Sequence, residues 1–159
     1  MNQVFVYAFS IIIVLFVGFL ATKFISTFTQ DVEKRDESLF YNDFENDFHT
    51  VFTNYGAEKI FNYRVSREVS LVCFIKDINC IDSMSDIDNE IKSDMKVIRE
   101  NDENIMILDK DGIVNSHKSE KGFEIEGVNN CLCIKPNSGR FSMIITNTKN
   151  TVYISNNDD

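Results

Sequence analysis

The chain opens with an uninterrupted apolar stretch. Residues 4–21 read VFVYAFSIIIVLFVGFLA and include no charged residue and no proline. As a helix with a rise of about 1.5 Å per residue, this stretch would extend about 27 Å, close to the thickness of a bilayer core. The pattern predicts a transmembrane anchor over residues 1–23 that holds the protein in membrane lipid. The side chains expected to contact lipid are Val4, Ile12, Leu15 and Phe19.

Two other structures fit the apolar start less well. A cleaved signal peptide has a basic first segment and small residues at its cleavage site. Met1-Asn2-Gln3 carries no basic side chain, and Phe19 precedes Ala21 by two residues, where a small residue is required. A buried core helix would be unusually long and apolar on every side. The anchor is therefore the favoured interpretation.

A helical period continues behind the anchor, over residues 24–56. Aromatic and aliphatic residues from Phe40 to Tyr55 fall within an arc of about 120° when each residue turns the helix by about 100°. No glycine or proline occurs between Lys23 and Leu39, so the anchor is expected to continue into this amphipathic helix. Gly56 is expected to end it. The side chains expected to pack on the following domain, rather than on a partner helix, are Phe40, Phe44, Phe48 and Phe52.

The spacing of apolar residues changes after Gly56. Ser83–Glu100 keeps a helical spacing, with Ser83 or Ser85 as the expected N-cap. Asp109-Lys110-Asp111-Gly112 predicts a hairpin turn. Short strands are expected at 59–65, 69–75, 105–108, 113–114, 123–125, 132–134, 141–146 and 152–155. The predicted fold class is α+β: an N-terminal transmembrane helix that continues into a long amphipathic helix, packed on a small antiparallel β-sheet domain over residues 57–159.

The charge of the chain limits its partners. Sixteen basic and 25 acidic residues give a formal net charge of -9, and none of the charged residues lies among residues 1–22. A phosphate backbone requires clustered Lys and Arg, so nucleic acid is not an expected partner. The acidic surface is expected to be solvated and self-repelling.

Four cysteines offer the clearest candidate chemistry: Cys73, Cys80, Cys131 and Cys133. Their spacing fits a zinc site poorly, because zinc sites usually use paired C-x₂-C sequences. Two disulfides fit better if the domain lies outside the cell, with one of Cys131 and Cys133 bonded to Cys73 and the other to Cys80. Free buried thiols in a cytoplasmic domain are the alternative. Lys23, Lys34 and Arg35 favour that cytoplasmic side by the positive-inside rule, whereas the disulfide interpretation favours the outside.

No other motif predicts a reaction. The Asp109–Gly112 segment resembles the opening of a calcium loop, but no glutamate stands at the twelfth position. Asp82, Asp86, Asp88 and Glu90 lie at an expected helix start, where carboxylates favour the helix dipole. His49 and His117 have no Cys or Asp partner nearby in sequence. We therefore expect no metal, no cofactor and no catalysis.

Short segments resemble known families. The segments Gln3-Val4-Phe5-Val6-Tyr7, Asn54-Tyr55-Gly56, Val72-Cys73-Phe74-Ile75 and Cys133-Ile134 are similar to a family of uncharacterised single-pass archaeal membrane proteins. The order of an apolar helix half, an amphipathic half and a sheet with late cysteines is also similar to type IV pilins. The chain departs from pilins because residues 2–22 include no glutamate. The resemblances imply a membrane-anchored domain that presents an interaction surface outside the cell, or else a pilin-like structural subunit that associates with itself through its helices.

Overall fold

We describe a computed structural model of the 159-residue chain. The structure describes residues 3–85, 87–126, 130–149 and 151–157, and within the first helix the side chains of residue 7, residues 9–24 and residues from 35 onward. The chain divides into two compact units, residues 1–35 and residues 36–159. This boundary falls inside the predicted amphipathic segment 24–56. The first helix, α1, runs from Gln3 to Phe52.

The transmembrane part of the predicted fold class is wrong. No helix of the described residues is long and apolar enough to cross a membrane. A membrane-spanning helix needs about 20 predominantly apolar residues.

Within the part of the chain that the structure describes, eight strands form two four-stranded sheets. The first sheet has the order β1-β7-β8-β5 and the second has the order β4-β3-β2-β6. The strands are β1 Glu58–Arg64, β2 Leu71–Ile75, β3 Ile105–Leu108, β4 Ile113–His117, β5 Glu124–Ile125, β6 Cys131–Ile134, β7 Arg140–Thr148 and β8 Thr151–Asn156. The prediction of a single antiparallel sheet is therefore corrected, and the β5–β8 pair is parallel. Sequence periodicity reports which side of a strand is apolar but not which strand lies beside it.

The phenylalanine stripe of α1 lies at the centre of the larger core. Phe40, Phe44 and Phe48 are at most 1% exposed and share one apolar cluster with residues of both sheets. Rings about one helical turn apart face the same side of a helix, which explains why the i, i+4 spacing brings them together. Phe52 differs from the prediction, since it is 39% exposed and the Lys121 ammonium lies 4.2 Å from its ring centroid.

The second sheet separates two cores. Along β2, Val72 and Phe74 face the larger core, while Cys73 and Ile75 face a smaller one. A strand buried on both faces reads as a continuous apolar run, as Leu71–Ile75 does. The smaller core is completed by the second helix, α2 Asn89–Glu100, and by a 3₁₀ helix over Ile78–Ser83.

The predicted helix Ser83–Glu100 begins six residues late. Asp77 caps the 3₁₀ helix by accepting a hydrogen bond from the Asn79 N–H, and Ser83 belongs to that short helix. The N-cap of α2 is Asp88, not Ser83 or Ser85. Ile87 is buried just before the helix begins, so its apolar side chain extended the helical pattern beyond the helix itself.

A residue distant in sequence closes the C-terminal end of α1. The Asn147 side-chain amide donates to the backbone carbonyls of Val51, Phe52 and Asn54 at 3.0, 2.9 and 3.3 Å. The Gly56 N–H donates to the Asn147 carbonyl at 3.1 Å. The last carbonyls of a helix have no partner within the helix, and here a strand side chain supplies it.

Candidate functional site

Two disulfides join the second sheet to the 3₁₀ helix. Cys73 on β2 bonds Cys133 on β6, and the two residues face each other directly in the antiparallel register. Cys80 in the 3₁₀ helix bonds Cys131 on β6. The expected disulfides are therefore present, and every cysteine is used. Because Cys131 and Cys133 alternate with Leu132, both point to the smaller core, as a two-residue strand period requires.

A small cavity adjoins the disulfides. It has a volume of about 250 Å³ and is lined by Cys131, Cys133, Leu71, Ile87 and the Ser83–Ser85 segment. The Met84 sulfur lies 3.8 Å from the Cys133 sulfur. The walls combine apolar and sulfur-bearing side chains with the polar side chains of Ser83 and Ser85. The described residues that line the cavity carry no charged side chain, and we assign the cavity to the packing of the disulfide region.

A polar cluster lies between α1 and β4. The His117 imidazole stacks on the Tyr41 ring at 4.6 Å between centroids, and its Nε2 is 3.7 Å from the Glu45 carboxylate. The same carboxylate accepts a hydrogen bond from the Glu120 N–H at 3.1 Å. The neighbouring cavity has a volume of about 310 Å³ and also contacts His49 and Lys121. These groups include an acid, an imidazole and a phenol within one small region.

The Tyr41 hydroxyl is not suited to act as a general base. Burial raises the pKa of the Tyr41 hydroxyl far above its usual range, and the Glu37 and Glu103 carboxylates raise it further. The hydroxyl therefore stays protonated at neutral pH. Glu37 is only 4% exposed and accepts a 2.7 Å hydrogen bond from the Asn115 side-chain amide. The cluster joins α1 to the β4 edge of the second sheet, and among the described residues the buried Tyr41 hydroxyl and His117 Nε2 have no hydrogen-bond partner.

A third region, which we call the arginine cleft, lies on the solvent face of the first sheet. It is lined by Asn62, Tyr63, Arg64, Asn137, Arg140, Phe141 and Ser142, and has a volume of about 510 Å³. Arg64 on β1 and Arg140 on β7 are direct partners in the strand register. Tyr63 and Phe141 are also partners, but they point inward into the larger core, so the two arginines point outward. Both arginines are exposed.

A tight turn positions Arg140. Asn137 and Arg140 form a two-way backbone pair, with N–H to carbonyl distances of 2.7 and 3.1 Å. Between them, Ser138 and Gly139 both have positive φ, 52° and 76°, as a type I′ turn requires. Gly139 is needed here for a second reason, because a Cβ at this position would lie 2.7 Å from the Val65 carbonyl oxygen. The Val65 N–H donates to the Gly139 carbonyl at 2.9 Å, which fixes the turn against the end of β1.

The structure describes the side chains of three of the four predicted anchor residues, and it also describes the Asp109–Gly112 turn. Ile12, Leu15 and Phe19 lie in α1 and are 62%, 68% and 59% exposed, while the side chain of Val4 lies outside the described residues. The Asp109 carboxylate accepts hydrogen bonds from the Asp111 and Gly112 N–H groups, which is the geometry of a tight turn. Within the described ranges, no group of three His, Cys, Asp or Glu side chains is arranged to hold a metal ion.

The arginine cleft was not predicted from the sequence. Arg64 and Arg140 are 76 positions apart, and only the antiparallel pairing of β1 with β7 brings them together. The local sequence Pro136-Asn137-Ser138-Gly139 is a turn signal that places Arg140 at a strand start, but it does not identify the opposing strand. Comparisons with models of protein families, with curated proteins and with solved structures found no match to this chain.

Proposed function

We propose that the protein is a non-catalytic binding protein whose disulfide-bonded domain presents its solvent-facing surfaces in an oxidising compartment outside the cytoplasm. The observation that supports this proposal is the pair of disulfides, which use all four cysteines of the chain. Structural disulfides persist outside the reducing cytoplasm and are rare within it. The pairs tie the 3₁₀ helix, β2 and β6 together and leave the solvent face of the first sheet open for a partner.

The apolar surface of α1 gives this proposal a second part. Eleven large apolar side chains between Tyr7 and Leu20 are each at least 46% exposed. An exposed apolar surface of this extent marks an interaction site, because monomeric soluble proteins rarely expose contiguous apolar patches of more than a few hundred Å². In the proposed role this surface contacts membrane lipid and keeps the domain at the outer side of the membrane.

Thiol labelling on intact cells tests the proposed compartment. A membrane-impermeant maleimide is added with and without a reductant that does not enter cells. Labelling only after reduction is the expected result, because all four cysteines are disulfide-bonded and the domain is proposed to lie outside the cell. Labelling that requires cell lysis, or labelling without reductant, contradicts the proposal. A cytoplasmic protein with exposed cysteines in the same cells is the control for membrane integrity.

A pilin-like subunit is the second candidate function. It is favoured by the 50-residue length of α1 together with the apolar side chains exposed on its first part. In that role the apolar surface is covered by α1 helices of other copies. Electron microscopy of purified material and of cell surfaces distinguishes the two candidates, since filaments support the subunit and their absence from overexpressing cells supports the individual binding protein. Substituting Leu15→Asp is expected to abolish filaments if they form.

A further inference from the structure

We propose that the arginine cleft binds a ligand that carries two carboxylates, one for each of Arg64 and Arg140. This inference deepens the proposed binding function by naming the chemistry of a ligand. The arginine pair is expected to destabilise the first sheet locally. Like charges placed directly opposite each other on neighbouring strands destabilise a sheet. Arg64 and Arg140 occupy such a pair on the outward face of the first sheet.

Among the described residues, no carboxylate forms an ion pair with either guanidinium group. The ion pairs of the described residues include Lys76–Glu124, Lys96–Asp82 and Lys118–Asp102, and neither Arg64 nor Arg140 belongs to one of these pairs. The chain carries 25 acidic residues, so acidic partners are abundant in its composition. The positive charge at this position is therefore kept available to a partner from outside.

The other described residues that line the cleft are uncharged, so the two arginines give it a net positive charge. Asn62, Asn137 and Ser142 supply neutral polar groups, and no carboxylate lines the cleft. The cavity beside α1 is lined by two glutamates, Glu45 and Glu120, and the cavity at the other end of the first sheet is lined by Glu58 and Glu126. The arginine cleft thus differs from its neighbours in sign as well as in position.

The size of the cleft and the net charge of the chain favour a small carboxylic acid over a phosphate polymer. A guanidinium group is planar and presents two parallel N–H donors that match a carboxylate. The cleft volume of about 510 Å³ lies within the range of small-ligand sites. The net charge of -9 repels a long polyanion, whereas a short acid needs only the local positive field. The Ser142 hydroxyl donates to the Asn62 side-chain oxygen at 2.7 Å, which leaves the Asn62 amide N–H groups to face a ligand.

Calorimetric titration of the full-length protein at low salt tests the proposal. The probes are succinate, a free dicarboxylate, and the dipeptide Asp-Asp with blocked ends, which offers the same chemistry from a peptide. Binding of either probe is expected at millimolar or lower concentration, and the preferred probe identifies the source of the carboxylates. If neither probe binds at 10 mM or so, the proposal is wrong.

Matched variants separate a shaped site from general attraction. Arg64→Gln is expected to weaken binding by about tenfold or more, as is typical when one charge-assisted pair is lost. Lys110→Gln removes the same charge from an exposed turn and is expected to change binding by less than about twofold. Arg64→Lys keeps the charge but loses the paired donors, so it is expected to resemble Arg64→Gln. Equal effects of Arg64→Gln and Lys110→Gln, or full binding by Arg64→Lys, would show non-specific attraction and overturn the proposal.

The same variants include a check on folding. Because the arginine pair is a like-charge pair, Arg64→Gln is expected to leave the melting temperature unchanged or raise it. Loss of binding with retained stability then reports on the site itself. The result is independent of the thiol-labelling test, so failure of the dicarboxylate site would leave the disulfide-bonded compartment untouched, and the reverse also holds.

Discussion

The two disulfides provide a prediction whose size follows from their arrangement. Cys73–Cys133 closes a separation of 60 residues and Cys80–Cys131 closes a separation of 51. On the chain-entropy account, either bridge alone restricts the unfolded chain by about 4 kcal/mol. The smaller loop lies inside the larger one. With one bridge in place, the other closes a ring of only about nine residues, which contributes about 2.6 kcal/mol on the same account.

Because the loops are nested, removing both disulfides is expected to cost more unfolding free energy than the sum of the two single removals. Replacing one pair by alanine while the other remains is expected to lower the free energy of unfolding by about 2.6 kcal/mol. Replacing both pairs is expected to lower it by about 7 kcal/mol, which is comparable to the whole stability of many domains. The double-pair variant is therefore expected to be largely unfolded, whereas each single-pair variant stays folded.

Urea unfolding of the full-length chain, followed by circular dichroism, measures these costs. All measurements contain the same concentration of a stabilising osmolyte, so that proteins without bridges still fold. Each protein is also measured with a strong reductant, in which all variants lack both bridges. The difference that remains in reductant reports the packing lost with the sulfur atoms, and it is subtracted from the difference without reductant. If the two single-pair costs sum to the double-pair cost, the bridges act independently and the nested-loop reasoning fails.

Three further predictions concern the core, the turn and the charges. Phe44→Ala is expected to destabilise the domain by about 3–5 kcal/mol in urea unfolding, because the ring is fully buried among Phe40, Phe48 and Phe74. Phe52→Ala is expected to lower the free energy of unfolding by less, because the Phe52 ring is only partly buried and its contact with the Lys121 ammonium contributes about 1 kcal/mol at most. Equal losses in the two variants would contradict the assignment of the core. Gly139→Ala is expected to lower the melting temperature markedly because φ is +76° and the new Cβ would meet the Val65 carbonyl, whereas Gly122→Ala, with open space around it, should have little effect. Burial raises the pKa of Asp47, so its contribution to stability is greatest at low pH and is lost as pH rises through its folded pKa. Asp47→Asn is therefore expected to stabilise the protein at pH 7 and not at pH 3, and a stability gain that is the same at both pH values would refute this assignment.

The parts of the fold that follow from local spacing could be predicted. The i, i+4 phenylalanines of α1 and the Asp109–Gly112 turn depend on neighbours within a few residues, and the structure contains both. The predicted start of α2 at Ser83 is wrong, because Ile87 continues the apolar spacing ahead of the true start at Asn89. Apolar spacing reports burial, and a buried residue just ahead of a helix has the same signature as one within it.

The parts that depend on distant pairing could not be predicted in the same way. The parallel pairing of β5 with β8 and the division into two sheets are set by contacts between segments far apart in sequence. The arginine cleft shares this origin, because each arginine alone is an ordinary charged residue at a strand end. The strand period of two leaves two ways to pair Cys131 and Cys133 with Cys73 and Cys80. Only the register of β2 against β6, which places Cys73 opposite Cys133, selects one of them.

The closure of α1 by Asn147 has a consequence for synthesis on the ribosome. The helix is completed by residue 52, but the side chain that satisfies its last carbonyls lies on a strand made 95 residues later. The rings of Phe40, Phe44 and Phe48 likewise wait for strands of both sheets. Nascent chains that stop before β7 therefore hold an unfinished helix end and an uncovered aromatic surface, which is a state that recruits chaperones or aggregates. Folding of this domain is thus expected to follow synthesis of β7 and β8 rather than to proceed segment by segment.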